Sequence, residues 1–468
     1  MPRLVLVSNR VSDPRKPSAG GLAVALGEAL QATGGLWFGW SGHVLDAEPA
    51  QRLHVHHAGR VSLATVDLTR EEHAGYYLGY SNGVLWPVFH YRLDLADFDA
   101  GFVGSYQRVN QMFARQLQAL LRPDDIVWVH DYHLIPLALE LRTLGCRQRI
   151  GFFLHIPMPP PLLLAAIPQA EWLVRCLSAY NLVGFQSQTD LLHFGRYIVA
   201  EVGAEPLGGQ RWRAFGRVVE AGSFPIGIDV DEFAALTHAP EGREMHERMR
   251  QEYARRQVLL GVERLDYSKG LPQRIKAFAK LLRNHPENLR SATLIQIVSP
   301  SREDIDSYTG LRRELESLCG AINGDYGELD WMPVRYIHRN VARRRLPGLY
   351  RLARVALVTP LRDGMNLVAK EFIAAQDPAD PGVLVLSRFA GAAEQLKEAL
   401  LVNPYDTDGT SETIEQALQM PLHERQRRHQ RLLERIREQD VHWWRRSFLD
   451  ALQATQGDEW MLPLPALA

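Results

Sequence analysis

Short apolar runs alternate with amphipathic segments along almost the whole chain. The runs are rich in Val, Ile and Leu without polar alternation, which is typical of strands buried on both faces of a sheet. Segments with a helical period usually follow them, for example residues 134–144 and 271–282. The runs span residues 4–7, 126–129, 150–154, 182–185, 258–262, 293–298, 355–358, 383–386 and 400–402. The pattern predicts an α/β fold with parallel sheets.

A chain of 468 residues is longer than one typical core, so two domains are expected. The loop at residues 224–229 separates two strand-bearing halves and precedes a charge-rich segment. We therefore predict an N-terminal domain of residues 1–228 and a C-terminal domain of residues 229–439. The tail from residue 422 is basic, amphipathic and helical, and we expect a helix at about residues 440–456 to pack back on the first domain.

Composition and charge narrow the class of protein. The formal net charge is −1, which argues against nucleic acid or a membrane surface as a partner. Three widely spaced cysteines form no CxxC pair and indicate free thiols in a reducing compartment. The first apolar run is too short for a signal peptide, and prolines interrupt the apolar stretch of residues 150–166. We expect a cytoplasmic protein.

Polar and charged residues follow strand after strand. Ligands of open α/β sheets bind beyond the carboxyl ends of the strands, so these positions are candidates for a binding site. They combine several cations with a few carboxylates, which suits a phosphorylated, hydroxyl-rich ligand. The segments are residues 8–10, 130–133, 155–157, 263–270, 299–302 and 359–364.

Two of these segments suggest particular contacts. Arg264 and Lys269 flank a turn into a helix and suit a diphosphate together with helix amides, although a surface ion-pair loop has the same pattern. Residues 363–366 open the helix that contains Glu371. A carboxylate there can accept two hydrogen bonds from a ribose diol, or it can be a solvated helix residue.

Other motifs carry weaker signals. Gly20 and Gly21 open a helix and allow close approach to a ligand, but they are not part of a GxGxxG fingerprint. The aromatic residues Trp37, Trp40, Tyr76, Tyr77 and Trp86 suggest a sugar-stacking wall, with core packing favoured for Trp37 and Tyr76. Several DxD spacings occur without directly ending a clear apolar strand, so we predict no metal and no cofactor for the chemistry.

These segments together resemble the bacterial trehalose-6-phosphate synthases, glycosyltransferase family 20. The resemblance runs from residue 4 to about residue 454 and lies in long blocks whose order and spacing match. The blocks are residues 6–10, 18–22, 36–42, 85–95, 130–133, 151–157, 263–272 and 359–371. The resemblance implies the GT-B fold, two Rossmann-like doubly wound domains with a cleft between them. It also implies an N-terminal acceptor domain and a C-terminal nucleotide-sugar domain.

The resemblance implies roles for individual residues. Arg10 and Arg302 resemble the pair that holds an acceptor 6-phosphate, and Asp131 lies near the reacting hydroxyls. The other acceptor contacts are Trp40, Tyr77 and Trp86. Residues resembling the donor contacts are Gly20, Gly21, His155, Arg264, Lys269, Val341, Asp363, Gly364, Met365, Asn366, Leu367, Val368, Ala369, Lys370 and Glu371. Residues expected to act in the reaction are Asp131, His155, Arg264, Lys269 and Asp363.

The implied activity is retaining transfer of glucose from a nucleotide sugar, UDP-glucose by family default, to glucose 6-phosphate. We expect front-face attack, since no carboxylate suits a double displacement. Alternatives are a pseudo-glycosyltransferase that couples cyclitol-type sugars and a catalytically silent sugar-phosphate sensor. The apolar residues 159–163 and Val341 depart from the family pattern. We also expect a homo-oligomer, a dimer or a tetramer.

Overall fold

A computed structural model describes residues 2–12, 26–27, 30, 34–47, 52–301 and 306–455. The chain divides into two compact units. The first unit combines Met1–Pro225 with Trp444–Ala468, and the second is Ile226–Trp443. The sequence predicted domain boundaries after residues 228 and 439. The chain enters the second unit a few residues earlier, after Pro225, and returns to the first unit a few residues later, at Trp444. No helix among the described residues is long and apolar enough to span a membrane.

The first unit contains ten described strands. They are β1 (Leu4–Arg10), β2 (Gly35–Leu45), β3 (Leu53–Ala58), β4 (Val61–Thr69), β5 (Ile126–His130), β6 (Arg149–Phe153), β7 (Leu182–Phe185), β8 (Glu205–Gly208), β9 (Arg211–Ala214) and β10 (Arg217–Ser223). Its α-helices are α1 (Arg70–Glu72), α2 (Trp86–Phe89), α3 (Ala100–Gln118), α4 (Leu137–Thr143), α5 (Pro161–Leu164), α6 (Ala170–Leu177) and α7 (Gln188–Ala200). A π-type helix, His73–Leu85, joins α1 to α2.

The strand order of this sheet is β3-β4-β2-β1-β5-β6-β7-β10-β9-β8. The central strands from β4 to β10 pair in parallel, and antiparallel strands lie at both edges. The order of connection reverses between β1 and β5, which is the topological switch point of a doubly wound sheet. The residues that follow β1 and β5 therefore lie side by side.

The second unit contains six described strands. They are β11 (Gln257–Arg264), β12 (Ala292–Ser299), β13 (Val334–Ile337), β14 (Val355–Val358), β15 (Val383–Ser387) and β16 (Leu400–Val402). Its helices are α8 (Val230–His238), α9 (Pro240–Glu252), α10 (Leu271–Asn284), α11 (Asp306–Tyr326), α12 (Leu346–Leu352), α13 (Leu367–Ala375), α14 (Thr407–Leu418) and α15 (Leu422–Glu438). A last helix, α16 (Val441–Ala454), begins at the end of this unit and continues into the first.

The sheet of the second unit is entirely parallel, in the order β13-β12-β11-β14-β15-β16. Numbered within the unit, this is the Rossmann order 3-2-1-4-5-6, and its switch point lies between β11 and β14. The prediction of an α/β fold with parallel sheets in two domains is confirmed. All nine apolar runs form strands, whereas the sequence analysis missed β2 to β4, β8 to β10 and β13.

Helix α16 packs its aromatic face on the sheet of the first unit. The Phe448 ring is fully buried and stacks on Trp128, with the ring centroids 4.7 Å apart. Strands β6 and β7 carry Gly151 and Gly184 where Phe448 lies, and a Cβ there would stand 2.8 Å and 2.7 Å from its ring. The glycines therefore make room for the helix, and the tail belongs to the core of this unit.

This packing predicts a large effect for Phe448→Ala. Truncation of a buried Phe costs about 3–5 kcal/mol, because apolar burial is lost and a cavity remains. We expect the first unit to unfold at a lower denaturant concentration, which tryptophan fluorescence would report. Phe98→Ala is the matched control, because Phe98 is 40% exposed and its truncation costs little. Equal effects of the two substitutions would contradict the packing role of α16.

Candidate functional site

One group of candidate residues lies at the switch point of the first unit. Arg10 ends β1, and its guanidinium carbon lies 5.9 Å from the centre of the Trp40 ring. The Ser8 hydroxyl donates to the Arg10 carbonyl and accepts a hydrogen bond from Trp37 Nε1 at 2.8 Å. Trp37 is buried, so packing explains it, as the sequence analysis favoured. Arg10 itself is an exposed cation at the carboxyl edge of the sheet.

A continuous row of rings lies beside Arg10. Trp40 and Tyr77 have ring centroids 5.6 Å apart, and Tyr77 stacks on His133 at 5.8 Å. His133 contacts Tyr132 at 3.9 Å, and Tyr132 contacts Trp86 at 5.7 Å. The three aromatic residues predicted to contact the acceptor therefore belong to one aromatic row. Trp40, Trp86, Tyr132 and His133 are buried and Tyr77 is half-buried, so Tyr77 is the most accessible ring of the row. An accessible ring face suits the hydrophobic side of a sugar.

Asp131 follows β5 with the left-handed φ of 77°, which an L-residue rarely adopts. Its N–H donates to the Phe153 carbonyl at 2.8 Å, and its Oδ1 accepts from the His155 N–H at 3.2 Å. These contacts tie the residue after β5 to the residues that end and follow β6. The strain indicates that the backbone is held to direct this carboxylate.

His155 lies within a chain of polar side chains. Its Nε2 is 3.1 Å from His130 Nδ1, and its Nδ1 is 3.3 Å from Gln186 Nε2. Burial lowers the pKa of His155 to about 3. Burial and the neighbouring His155 also hold the pKa of His130 well below its usual range. Both rings are therefore neutral near neutral pH, and His155 acts as a hydrogen-bonding group rather than as a positive charge.

Another group of candidate residues lies at the switch point of the second unit. The turn after β11 begins at Asp266, whose Oδ1 accepts from the Ser268 N–H at 2.9 Å. The Ser268 carbonyl accepts from the Leu361 N–H at 2.7 Å. Gly270 has φ +63°, and a Cβ there would stand 2.3 Å from the Thr359 carbonyl oxygen. The turn after β11 and the loop after β14 thus pack backbone against backbone, which only glycine permits.

This packing brings Lys269 and Asp363 together. Lys269 Nζ is 2.6 Å from Asp363 Oδ2, and the side chains are 12% and 14% exposed. The same oxygen accepts from Asn366 Nδ2 at 3.0 Å. Burial disfavours the charge of Lys269, but Asp363 and Glu263 outweigh it and raise the pKa of the ammonium. The exposed Arg264 ends β11, so a second cation lies at this edge.

The residues after Asp363 form the start of α13. Asn366 has φ 93°, and its side chain caps the helix by accepting from the Ala369 N–H at 3.2 Å. The amides of a helix N-terminus carry partial positive charge and bind anions. Gly364 and Met365, which precede the first turn of α13, are buried. Leu367 and Val368 are half-buried.

Glu371 and Lys370 lie on the same helix but have different surroundings. Burial raises the pKa of the Glu371 carboxyl to about 7, although Arg343 and the Tyr350 hydroxyl both lower it. The Tyr350 hydroxyl is 3.2 Å from Glu371 Oε2. Glu371 is half-buried, which fits a ligand-binding carboxylate better than a solvated one. Val341 is half-buried in the loop that precedes α12.

The side chain of Lys370 is turned away from this region. It is 1% exposed, and its Nζ donates to the Ile226 carbonyl at 2.6 Å and to Gln395 Oε1 at 2.7 Å. Burial lowers the pKa of the amine to about 7. Only the main chain of Lys370 is therefore left as a candidate contact for the nucleotide sugar. The sequence pattern did not reveal that the side chain is turned away.

Three predicted residues, Gly20, Gly21 and Arg302, lie outside the described residues. Among the described residues, one group brings three metal-ligand atoms within 4.8 Å of one another, namely those of His285, Glu287 and Glu415. His285 Nε2 lies 3.0 Å from Glu412 and Glu415 accepts from Asn288, so these groups already have protein partners. They belong to neither switch point.

The sequence analysis missed the buried groups that support the site. Arg274 of α10 is 1% exposed and forms an ion pair with Glu263 of β11 at 3.1 Å. Gln186 contacts the ring of His155. An arginine inside an amphipathic helix resembles a solvated residue in the sequence. The one available signal was its place four residues after Gly270, two residues beyond the end of a block of the family resemblance.

Comparison with known proteins identifies the family. The model for glycosyltransferase family 20 matches residues 6–454. The chain belongs to this family. Trehalose-6-phosphate synthase of Sinorhizobium fredii is 48% identical over 459 residues, which cover 97% of this chain and 99% of that protein. The enzyme of Klebsiella pneumoniae is 46% identical over 455 residues, or 97% of this chain and 95% of that protein.

Solved structures of the family have the same fold. An α,α-trehalose-phosphate synthase (UDP-forming) from Burkholderia xenovorans, in complex with glucose 6-phosphate, is 49% identical with a TM-score of 0.93. The match covers 97% of this chain and 100% of that one. The E. coli protein bound with UDP-2-fluoro glucose is 44% identical with a TM-score of 0.92, over 97% of this chain and 99% of that one. The family fold is GT-B, as predicted.

Proposed function

We propose that this protein transfers glucose from UDP-glucose to glucose 6-phosphate with retention, giving α,α-trehalose 6-phosphate and UDP. The observation that carries the proposal is the Lys269–Asp363 pair at the Rossmann switch point of the second unit, beside Arg264 and the start of α13. Cations and helix amides at such an edge suit a diphosphate. Membership of glycosyltransferase family 20 supports the same reaction.

The first unit supplies the acceptor contacts in this proposal. Arg10 pairs with the 6-phosphate, and the aromatic row of Trp40, Tyr77 and Trp86 covers the sugar. Asp131 accepts a hydrogen bond from a hydroxyl near the reacting carbon. Its strained backbone fixes the direction of the carboxylate before substrate binds, so little entropy is lost on binding.

The reaction follows a front-face path. The anomeric hydroxyl of glucose 6-phosphate attacks C1 of the donor on the side from which UDP leaves. The C1–O bond to the diphosphate breaks as the new C1–O bond forms, and a phosphate oxygen of the leaving group takes the proton. Lys269, Arg264 and the amides of α13 stabilise the departing negative charge. Asp363 is an ion-pair partner of Lys269, which suits positioning better than attack on C1.

The test is product analysis with intact protein. It is incubated with glucose 6-phosphate and UDP-, GDP- or ADP-glucose, and nucleotide release ranks the donors. NMR of the product then reads the linkage at both anomeric carbons. We expect the α,α-1,1 linkage with UDP-glucose as the best donor. Donor consumption without this linkage would support the pseudo-glycosyltransferase, and binding without turnover would support the sensor.

Glu371 predicts a pH dependence of donor binding. An ionised carboxylate accepts with both oxygens and binds the two hydroxyls of a ribose diol more strongly than the protonated acid does, and burial raises the pKa of Glu371 to about 7. The KM for UDP-glucose should therefore fall about tenfold between pH 6 and pH 8, as the carboxyl loses its proton. The donor diphosphate keeps its charge in this range.

Two variants separate Glu371 from its neighbour in this experiment. Glu371→Gln should raise the KM and remove its pH dependence. Lys370→Met removes the other group of α13 whose pKa is about 7, and should leave the pH dependence in place. A pH dependence that persists in Glu371→Gln would assign the titration to another group.

We also propose a cytoplasmic location, where sugar phosphates and nucleotide sugars occur. Three free, buried cysteines, Cys146, Cys176 and Cys319, fit a reducing compartment. A homo-oligomer, either a dimer or a tetramer, stays a prediction. Light scattering of the purified protein would measure its mass.

A further inference from the structure

A buried ionic network lies directly beneath the Lys269–Asp363 pair. Its centre is Arg274 of α10, whose side chain is 0% exposed, and Glu263 of β11, whose side chain is 3% exposed. Arg274 Nη2 is 3.1 Å from Glu263 Oε1. The same guanidinium donates from Nε to Thr359 Oγ1 at 3.0 Å and from Nη1 to Gln296 Oε1 at 3.2 Å.

This guanidinium joins three neighbouring strands at their carboxyl edge. Glu263 is near the end of β11, Gln296 is in β12, and Thr359 directly follows β14. Thr359 begins the loop that carries Asp363, and the turn after β11 carries Lys269. Arg274 also lies 3.5 Å from the Lys269 carbonyl. One buried side chain thus holds both segments that meet at the switch point.

The backbone makes room for this arrangement. A Cβ at Gly261 would stand 2.6 Å from Arg274 Nη1 and 2.4 Å from Gln296 Oε1. Both of these atoms belong to the buried network rather than to a flexible surface side chain. The absence of a side chain at this position of β11 therefore admits the guanidinium.

The charges of the network determine where Lys269 points. Four buried or nearly buried groups carry two positive and two negative charges, on Arg274, Lys269, Glu263 and Asp363. Arg274 neutralises Glu263, so the ammonium of Lys269 is left to pair with Asp363. Without Arg274, Glu263 would be an uncompensated carboxylate close to Lys269 and would compete for it.

We propose that Arg274 is a positioning residue for the donor diphosphate. By binding Glu263 and Thr359, it keeps Lys269 directed toward Asp363 and the start of α13. This inference rests on the proposed function for the identity of the ligand. It adds a group that touches no substrate and acts through Lys269.

Glu263 gives the proposal a specific pH signature. Burial raises the pKa of Glu263, and Arg274 and Lys269 lower it. Asp363 and Tyr350 are the other titratable groups that face it. In Arg274→Met the pKa of Glu263 should rise further. Above that pKa the carboxylate is charged and draws Lys269 away, so the loss of donor binding should grow as pH rises.

The test compares Arg274→Met with the double variant Arg274→Met/Glu263→Gln. Arg274→Met should raise the KM for UDP-glucose on the order of 10-fold, with the KM for glucose 6-phosphate unchanged. Calorimetry with UDP should show the same weakening. The double variant removes both charges and should recover most of the affinity and lose the added pH dependence. A double variant no better than the single one would overturn the proposal.

Controls separate positioning from folding. Arg425→Met removes another buried arginine of the same unit, paired with Asp380 at 2.6 Å and touching none of the network. It should lower the melting temperature without changing the KM for UDP-glucose. If Arg274→Met does not fold, Arg274→Lys keeps the charge without the three-way contact and should show a smaller, donor-specific rise in KM. An unchanged KM in a folded Arg274→Lys would then overturn the proposal.

The outcomes also distinguish this inference from the proposed function. If wild-type protein forms no trehalose 6-phosphate, the proposed function fails, whereas calorimetry with UDP still measures the effect of Arg274. If wild-type protein forms the product and a folded Arg274→Met binds UDP normally, only the positioning role fails.

Discussion

Replacement of Lys269 by Ala should lower kcat roughly 10²- to 10³-fold, the loss seen when one preorganised charge-stabilising donor is removed. Lys269 Nζ is 2.6 Å from Asp363 Oδ2, so the ammonium is held at the edge where the diphosphate is expected. The substitution also leaves Asp363 without this partner, so a negative charge would face an anionic ligand. Binding of UDP should weaken as well.

The measurement is kcat at saturating concentrations of both substrates. Lys276→Ala is the matched control, because Lys276 is an exposed lysine of the adjacent α10 and pairs with Glu314 at 3.3 Å. It should leave kcat unchanged. Lys269→Ala/Asp363→Asn should bind UDP more tightly than Lys269→Ala, since the negative charge that had faced Lys269 is also removed. Near-normal kcat in both Lys269→Ala and Arg264→Ala would refute the assignment of these cations.

Replacement of Arg10 by Ala should remove most of the preference for the phosphorylated acceptor. A charge-assisted hydrogen bond contributes about 1.5–3 kcal/mol, which corresponds to a change of about 10- to 150-fold in kcat/KM for glucose 6-phosphate. Turnover of free glucose, which has no phosphate to bind, should hardly change. Arg302 is predicted to share the phosphate, so some preference should remain.

The ratio of kcat/KM for glucose 6-phosphate to that for glucose measures this effect directly. Arg147→Ala is the control, because Arg147 is an exposed arginine of the first unit. It precedes β6 and so lies at the amino ends of the parallel strands, whereas Arg10 lies at their carboxyl ends. It should leave the ratio unchanged. If Arg10→Ala also left the ratio unchanged, the phosphate would have to be recognised elsewhere.

The strands that the sequence predicted are those buried on both faces. An uninterrupted apolar run, such as Val-Ala-Leu-Val at residues 355–358, is stable in an α/β domain when helices cover both faces of its strand. The missed strands lack this signal. β3 is the strand at one edge of the sheet, contains three histidines and is mostly exposed. β8 and β9 lie at the other edge. Their conformation comes from pairing with a neighbour rather than from their own composition.

The members of the site show a similar division. Arg10, Lys269 and Asp363 were predicted because each follows a buried strand, and the family resemblance assigned their roles. The ion pair of Lys269 with Asp363, 94 residues apart, was not predictable from either segment. Lys370 looked like a further donor contact, but its side chain binds the Ile226 carbonyl. Arg274 was not predicted at all, because nothing in the helical pattern distinguishes it from a surface residue, and it is buried in the network.

The sequence by itself determined the order and type of most elements, the two-domain organisation and the kinds of group at the strand ends. These follow from local periodicity and from the cost of burying polar groups, which each segment carries within itself. The tertiary structure decided which strand ends are neighbours, and so which charges meet. Strand order depends on hydrogen bonds between segments far apart in the chain, and the two switch points arise only when β5 pairs with β1 and β14 with β11.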